Sequence, residues 1–153
     1  MKVIGVRNST DTIRFAVIEK NGRGIHFLNA DDGNRIVLPK TIPDRAARMA
    51  WARQELDRVI TRHGPIAGIA LKQNENQPKA YTQTVAVAFL DALWFLAAGE
   101  KATKIESYVF RQLGTRSADV CGDATKHVAA STTHWDAQMA AAVMAATHMI
   151  EGL

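Results

Sequence analysis

Residues 2–29, KVIGVRNSTDTIRFAVIEKNGRGIHFLN, decide the fold. Residues 2–6 and 12–19 are short runs rich in β-branched and apolar side chains, and a polar turn separates them. The dipeptide Asn21-Gly22 is a strong hairpin signal, and it leads into a third run over residues 24–29. The chain is therefore predicted to open with three antiparallel strands.

The remaining elements alternate between helix and strand. Apolar residues at steps of three and four predict a first helix, and His63-Gly64-Pro65 is a typical helix end. Residues 35–38 either extend the sheet edge or lie across it, and the loop over 111–125 has no readable pattern. The second helix is apolar around most of its circumference, which predicts that it is largely buried. The predicted elements are a helix from Asp44 to His63, a strand over 66–71, a helix over about 79–98, a strand over 102–110, and a closing helix that begins at Asp123 or Thr133 and ends near Glu151.

Length and composition narrow the class of protein. The 153 residues fit a single domain over 1–153, and 47% hydrophobic with 22% charged residues excludes a disordered or collagen-like chain. The richest apolar run, over residues 85–98, contains Asp91, so no membrane span is expected. One cysteine, Cys121, excludes an internal disulfide and a thiolate zinc site. With no leader pattern at the start, we expect a cytoplasmic protein.

Three antiparallel strands followed by two helix-strand crossovers predict a mixed five-stranded sheet flanked by helices. This order, together with VIGVRNSTDTIRFAVIEKNG, IAGIALKQ and WDAQMAAAVMAATH, resembles the Holliday-junction-resolvase-like branch of the ribonuclease H-like superfamily. The resemblance covers nearly the whole chain. It implies an α/β fold, with three antiparallel strands and then two parallel ones.

The resemblance also implies phosphodiester hydrolysis by two Mg²⁺ ions, held by carboxylates on the first strand, at the end of the fourth strand and at the start of the last helix. Carried onto this chain, those places fall at Arg7, Lys72 and Asp136. Two of the three are cations, which repel a metal ion. We therefore expect a substituted, non-catalytic site without metal or other cofactor, in which Arg7, Lys72 and Asp136 neutralise one another.

The alternative is a divergent nuclease that uses Mg²⁺ or Mn²⁺. In that hypothesis a bulge or a changed loop brings Asp11 or Glu75 inward to join Asp136. Asp136 also has a structural interpretation, because an acid at the start of the closing helix favours the helix N-terminus.

Basic residues supply the remaining functional clue. Lys plus Arg exceed Asp plus Glu by 19 − 15 = 4, which indicates a mild preference for polyanions. A solvated helix face is the alternative explanation for the arginines of the first helix. The residues predicted to contact phosphates of DNA or RNA are Arg45, Arg48 and Arg62 on the first helix and Arg111, Arg116 and Lys126 in the late loop.

These observations predict a non-catalytic module that binds nucleic acid or a protein partner. The closing helix is rich in Ala and Met, and its small side chains would allow close approach of a second copy. We therefore expect any homo-oligomer to form through this helix.

Overall fold

A computed structural model describes residues 1–75 and 80–153. Within them the chain forms a mixed sheet with helices on both faces. The elements, in chain order, are β1 (Lys2–Asn8), β2 (Thr12–Asn21), β3 (Gly24–Phe27), β4 (Arg35–Val37), α1 (Arg45–His63), β5 (Gly68–Lys72), α2 (Tyr81–Glu100), β6 (Lys104–Tyr108), α3 (Val120–Ala124) and α4 (Ala137–Gly152).

The strand order is β3-β2-β1-β5-β6, with β4 also paired to β2. β1 and β2 are antiparallel, whereas β5 lies parallel to β1, and β6 lies parallel to β5. The predicted mixed α/β architecture is confirmed. The described part of the sheet has six strands instead of five, because the ten-residue β2 pairs with β3 at one end and with β4 at the other.

Several boundaries differ from the predicted ones. β1 continues to Asn8, so Arg7 lies within the strand, and α4 begins at Ala137. The unreadable loop contains the short helix α3, and the predicted start of the second helix at Lys79 lies outside the described residues. The predicted end of the first helix is confirmed, since the N–H of Gly64 donates to the carbonyl of Ile60 at 2.9 Å.

Side chains of the central strands alternate between two cores. Ile4 and Val6 pack with α1 and α2 on one face. Val3 packs with α3 and α4 on the other face, where Gly5 also lies. A Cβ atom on Gly5 would lie 1.9 Å from the carbonyl oxygen of Ala142, so only glycine lets α4 approach this closely. Because Gly5 lets α4 pack closely on β1, the start of α4 lies next to Arg7.

α4 is almost entirely buried by this packing, including its alanines and methionines. Its small side chains let the helix approach the sheet and do not form an exposed surface. The predicted route of self-association through the closing helix is therefore wrong.

α2 is not largely buried, contrary to the prediction. Leu90 and Trp94 pack on the sheet, whereas Phe89 and Leu96 are exposed on the outer side. An apolar circumference gives no indication of which side meets the sheet, and here the sheet and α1 cover only one side. Among the described helices, α2 is also the one that is long and apolar enough to span a membrane by length and composition, although one third of that window is buried in the fold.

Candidate functional site

Three cations lie on the face of the sheet that α4 covers, where β1 and β5 end and β2 begins. Arg7 of β1 stands opposite Arg14 of β2 in the antiparallel register. Lys72 ends β5, and its carbonyl accepts a hydrogen bond from Arg7 Nη1 at 3.2 Å. Each of the three lies two or four positions along its strand from a residue of the α4-side core, so their side chains leave the sheet on the same face.

Lys72 is completely buried. Its Nζ lies 2.5 Å from Glu75 Oε2, donates to the carbonyl of Gln73 at 2.6 Å and stands 3.8 Å above the ring of Phe110. Burial lowers the pKa of Lys72, although the Glu75 carboxylate opposes that shift. For Glu75, burial raises the pKa, but the Lys72 ammonium and the N–H of Phe110 at 2.7 Å outweigh it, so the pKa is lowered. Lys72 is thus paired with a local carboxylate.

Arg7 is the cation of this group without a carboxylate partner. Within residues 1–75 and 80–153 it makes no ion pair, and residues 76–79 contain no acid. Its Nη2 donates to Asn74 Oδ1 at 2.6 Å. Burial lowers its pKa, whereas Asp91 and Glu75 favour the charged form. Arg7 lines a cavity of about 210 Å³, together with Phe110, Ser117, Ala137, Gln138 and Ala141.

Asp136 caps α4 and pairs with Arg14. Its Oδ1 accepts from the N–H groups of Gln138 at 3.0 Å and Met139 at 2.8 Å, while its Oδ2 lies 2.6 Å from Arg14 Nη2. The predicted mutual neutralisation of Arg7, Lys72 and Asp136 is wrong, because Asp136 pairs with Arg14 and Lys72 pairs with Glu75. Sequence reasoning missed Arg14, although its place opposite Arg7 in the predicted hairpin was a usable signal.

Asp11, one of the two other candidate acids, lies on the opposite side of the sheet from Asp136. Asp11 lines a cavity of about 270 Å³ on the α1 and α2 side, with Arg45, Arg48 and Phe89 among its neighbours. Asp91 accepts a hydrogen bond from Asn8 Nδ2 at 2.7 Å, and burial raises its pKa. The structure does not bring Asp11 and Asp136 together.

These side chains do not fit a pair of magnesium ions. Such a site needs several carboxylates with free oxygen atoms. Here Asp136 forms an ion pair with Arg14, and Glu75 forms one with Lys72. No group of three or more His, Cys, Asp or Glu residues in the described part of the chain could hold a metal ion. An added cation would meet three positive side chains on one face of the sheet.

The residues predicted to contact phosphate lie along α1 and around α3. Arg45 and Arg62 stand near opposite ends of α1, 17 residues and therefore about 25 Å apart. Arg48 donates to the carbonyls of Ile42 at 3.0 Å and Pro43 at 3.3 Å. In the late segment, Arg116 pairs with Asp119, Lys126 pairs with Asp123, and Arg111 is exposed.

No family model and no curated protein matches the sequence. Among solved structures, Thermus thermophilus RuvC in complex with a Holliday-junction substrate matches with a TM-score of 0.78 and 14% identity, over 97% of this chain and 92% of that chain. The chain has the fold of the Holliday-junction resolvases.

Two further resolvases share this fold. The yeast mitochondrial Holliday junction resolvase Ydc2 matches with a TM-score of 0.61 and 12% identity, over 96% of this chain and 77% of that one. The fowlpox virus resolvase in complex with Holliday-junction DNA matches with a TM-score of 0.55 and 13% identity, over 99% and 98% of the two chains. The resemblance predicted from the sequence is thus confirmed for the fold.

Proposed function

We propose that this chain is a non-catalytic nucleic-acid-binding module on a resolvase fold, and that its central cations bind a phosphodiester instead of cleaving it. The observation that carries the proposal is Arg7, a partly buried guanidinium without an ion pair that lines a cavity at the centre of the site. A guanidinium binds phosphate oxygens through charge-assisted hydrogen bonds in a fixed geometry. The proposed module uses no metal or other cofactor, and we expect it in the cytoplasm.

Two further observations support this function. RuvC and the fowlpox virus resolvase, which share the fold, were both solved with Holliday-junction DNA. The net charge of +4 also favours a polyanionic ligand.

The nuclease alternative requires a rearrangement of the site. Asp136 would have to leave Arg14, and Glu75 would have to leave Lys72, before either could bind Mg²⁺ or Mn²⁺. Each departure would leave a mostly buried cation without its carboxylate, which is costly.

The test is a gel-shift and cleavage assay with labelled four-way junction, duplex DNA, single-stranded RNA and RNA–DNA hybrid. Each probe is incubated with and without Mn²⁺ or Mg²⁺, at about 50 and 200 mM salt. We expect metal-independent, salt-sensitive binding without cleavage. Arg7→Gln should weaken binding roughly tenfold and reduce the salt slope by about 0.7–0.9.

Arg23→Gln is the matched control, because it removes the same charge from an exposed turn. Equal losses in the two variants would show that Arg7 has no special role. Metal-dependent cleavage that Asp136→Asn abolishes would overturn the proposal and restore the nuclease.

A second candidate function, self-association, has an observation of its own. The exposed side of α2 has small residues, Ala88 and Ala92, at its centre and large ones, Phe89, Phe95 and Leu96, beside them. Such a surface can pack against its own copy around a two-fold axis, with the alanines at the crossing point.

Sedimentation equilibrium tests this candidate. We expect a dimer that Leu96→Glu dissociates, whereas Leu28→Glu, which changes an exposed leucine at the end of β3, leaves it intact. A monomer at all concentrations, or binding of α2 to lipid vesicles instead, would contradict it.

A further inference from the structure

Asp136 uses its two carboxylate oxygens for different contacts. Oδ1 accepts from the first N–H groups of α4, and Oδ2 binds the guanidinium of Arg14 at 2.6 Å. The cap needs only an acceptor oxygen, which Asn or Ser also provides. The charge of Asp136 is therefore not needed for capping, and its partner is Arg14.

Gln138 connects this ion pair to the cavity that Arg7 lines. Its side-chain oxygen accepts a hydrogen bond from Arg14 Nη1 at 3.3 Å, and the same residue forms part of the cavity wall. Arg14 is therefore one side chain away from the cavity. Its side chain is 15% exposed, and its buried Nε has no hydrogen-bond partner among the described atoms.

We propose that Asp136 is an internal competitor for the nucleic-acid phosphate, and that the complete anion site consists of Arg7 and Arg14. In the free protein the Asp136 carboxylate occupies Arg14. A backbone phosphate that enters at Arg7 competes with Asp136 for the Arg14 guanidinium. The Asp136 side chain is 40% exposed, so water can solvate the displaced carboxylate oxygen.

This inference rests on the proposed function and gives the opposite prediction to the nuclease hypothesis. Asp136→Asn keeps the capping oxygen and removes the negative charge beside Arg14. In a nuclease the change abolishes activity. Here it should tighten binding of a four-way junction by about three- to tenfold and increase the salt slope by about 0.7–0.9, since one more cation becomes available to phosphate.

Asp57→Asn is the matched control. Asp57 is 43% exposed and lies 2.7 Å from Arg53, close to the 40% and 2.6 Å of the Asp136–Arg14 pair, but it belongs to α1 on the other side of the sheet. Asp136→Ser provides a second capping residue without charge, which guards against failure of one variant to fold. Circular dichroism establishes that each variant is folded.

The deciding experiment measures junction affinity against salt for the wild type and for Asp136→Asn, Asp136→Ser, Asp57→Asn, Arg14→Gln and the double variant Arg14→Gln/Asp136→Asn. We expect both Asp136 variants to bind the junction more tightly than the wild type, and Asp57→Asn to bind it equally well. Arg14→Gln should bind it more weakly, and adding Asp136→Asn to Arg14→Gln should not restore affinity. If the wild type binds but the Asp136 variants gain no more than Asp57→Asn, or the gain persists without Arg14, the competitor role is wrong and the proposed function stands. If the wild type binds no probe at either salt concentration, both are wrong.

Discussion

The two faces of the sheet differ in the size of the side chains that pack against their helices. On the α4 face, glycine and alanine let the helix backbone approach the strands, and Gly5 has no space for a Cβ atom. On the α1 and α2 face, large side chains such as Leu56 and Trp94 fill a wider gap, and α2 leaves half of its circumference exposed.

The difference explains where the candidate site lies. Close approach of α4 brings its N-terminus next to the end of β1 and the start of β2, where Arg7 and Arg14 leave the sheet. The opposite face, with its wider spacing, leaves an apolar surface on α2. The close-packed face thus positions charged side chains, whereas the loosely covered face leaves apolar side chains of α2 exposed.

Gly5→Ala tests the close approach of α4 to the sheet, and its expected effect is the largest. The new methyl group would overlap the carbonyl oxygen of Ala142 and lie 2.8 Å from the Cβ of Ala146, both on a buried helix. We expect a loss of about 3 kcal/mol in the free energy of unfolding, measured by urea denaturation. Gly99→Ala is the control, because its Cβ meets nothing within 4 Å, and it should be neutral or slightly stabilising. A Gly5→Ala protein as stable as the wild type would show that α4 is not held this closely.

The second prediction concerns the Lys72–Glu75 pair and compares the loss of one partner with the loss of the other. Glu75→Gln leaves a fully buried ammonium without its carboxylate, and we expect it to cost about 2 kcal/mol. Lys72→Met replaces the ammonium by an apolar side chain of similar length and leaves a partly exposed carboxylate that water can solvate. It should stay within about 1 kcal/mol of the wild type in the same urea experiment. Equal costs would mean that the pair is not a buried cation with its counterion.

The same pair predicts how stability depends on pH. Because the folded pKa of Glu75 is lowered, its contribution is fully present above its unfolded pKa and is lost as the pH falls through the folded value. The lowered pKa of Lys72 acts at the other end, where stability rises as the pH increases from that value towards 10.5. Glu75→Gln should therefore flatten the acid side of the stability profile.

Local patterns predicted the fold well because its signals lie within short segments. The Asn21-Gly22 hairpin and the apolar run of β5 each depend on a few neighbouring residues. The fold resemblance also placed Arg7, Lys72 and Asp136 on three different elements near one site. It could not show that Asp136 pairs with Arg14, because the two residues are 122 positions apart and the contact depends on where α4 begins.

The exposed side of α2 was unpredictable for another reason. Its apolar residues surround the helix, so periodicity carries no direction, and only packing shows that Leu90 faces inward and Leu96 outward. Both are leucines within the same apolar run, but Leu90 is buried and Leu96 is exposed in the folded chain.

The smallest expected effect on stability is that of a substitution at Leu96, in contrast to one at Leu90. Leu96 is 58% exposed, so Leu96→Gln should change the free energy of unfolding by no more than about 0.5 kcal/mol when the protein is dilute. Leu90 is completely buried, and Leu90→Ala should cost about 3 kcal/mol under the same conditions. If α2 also joins two copies, the thermal unfolding midpoint of the wild type should rise with protein concentration, and that dependence should disappear in Leu96→Gln. A large loss in dilute Leu96→Gln would instead mean that this side of α2 packs within the monomer, and the contrast between the two faces would not hold.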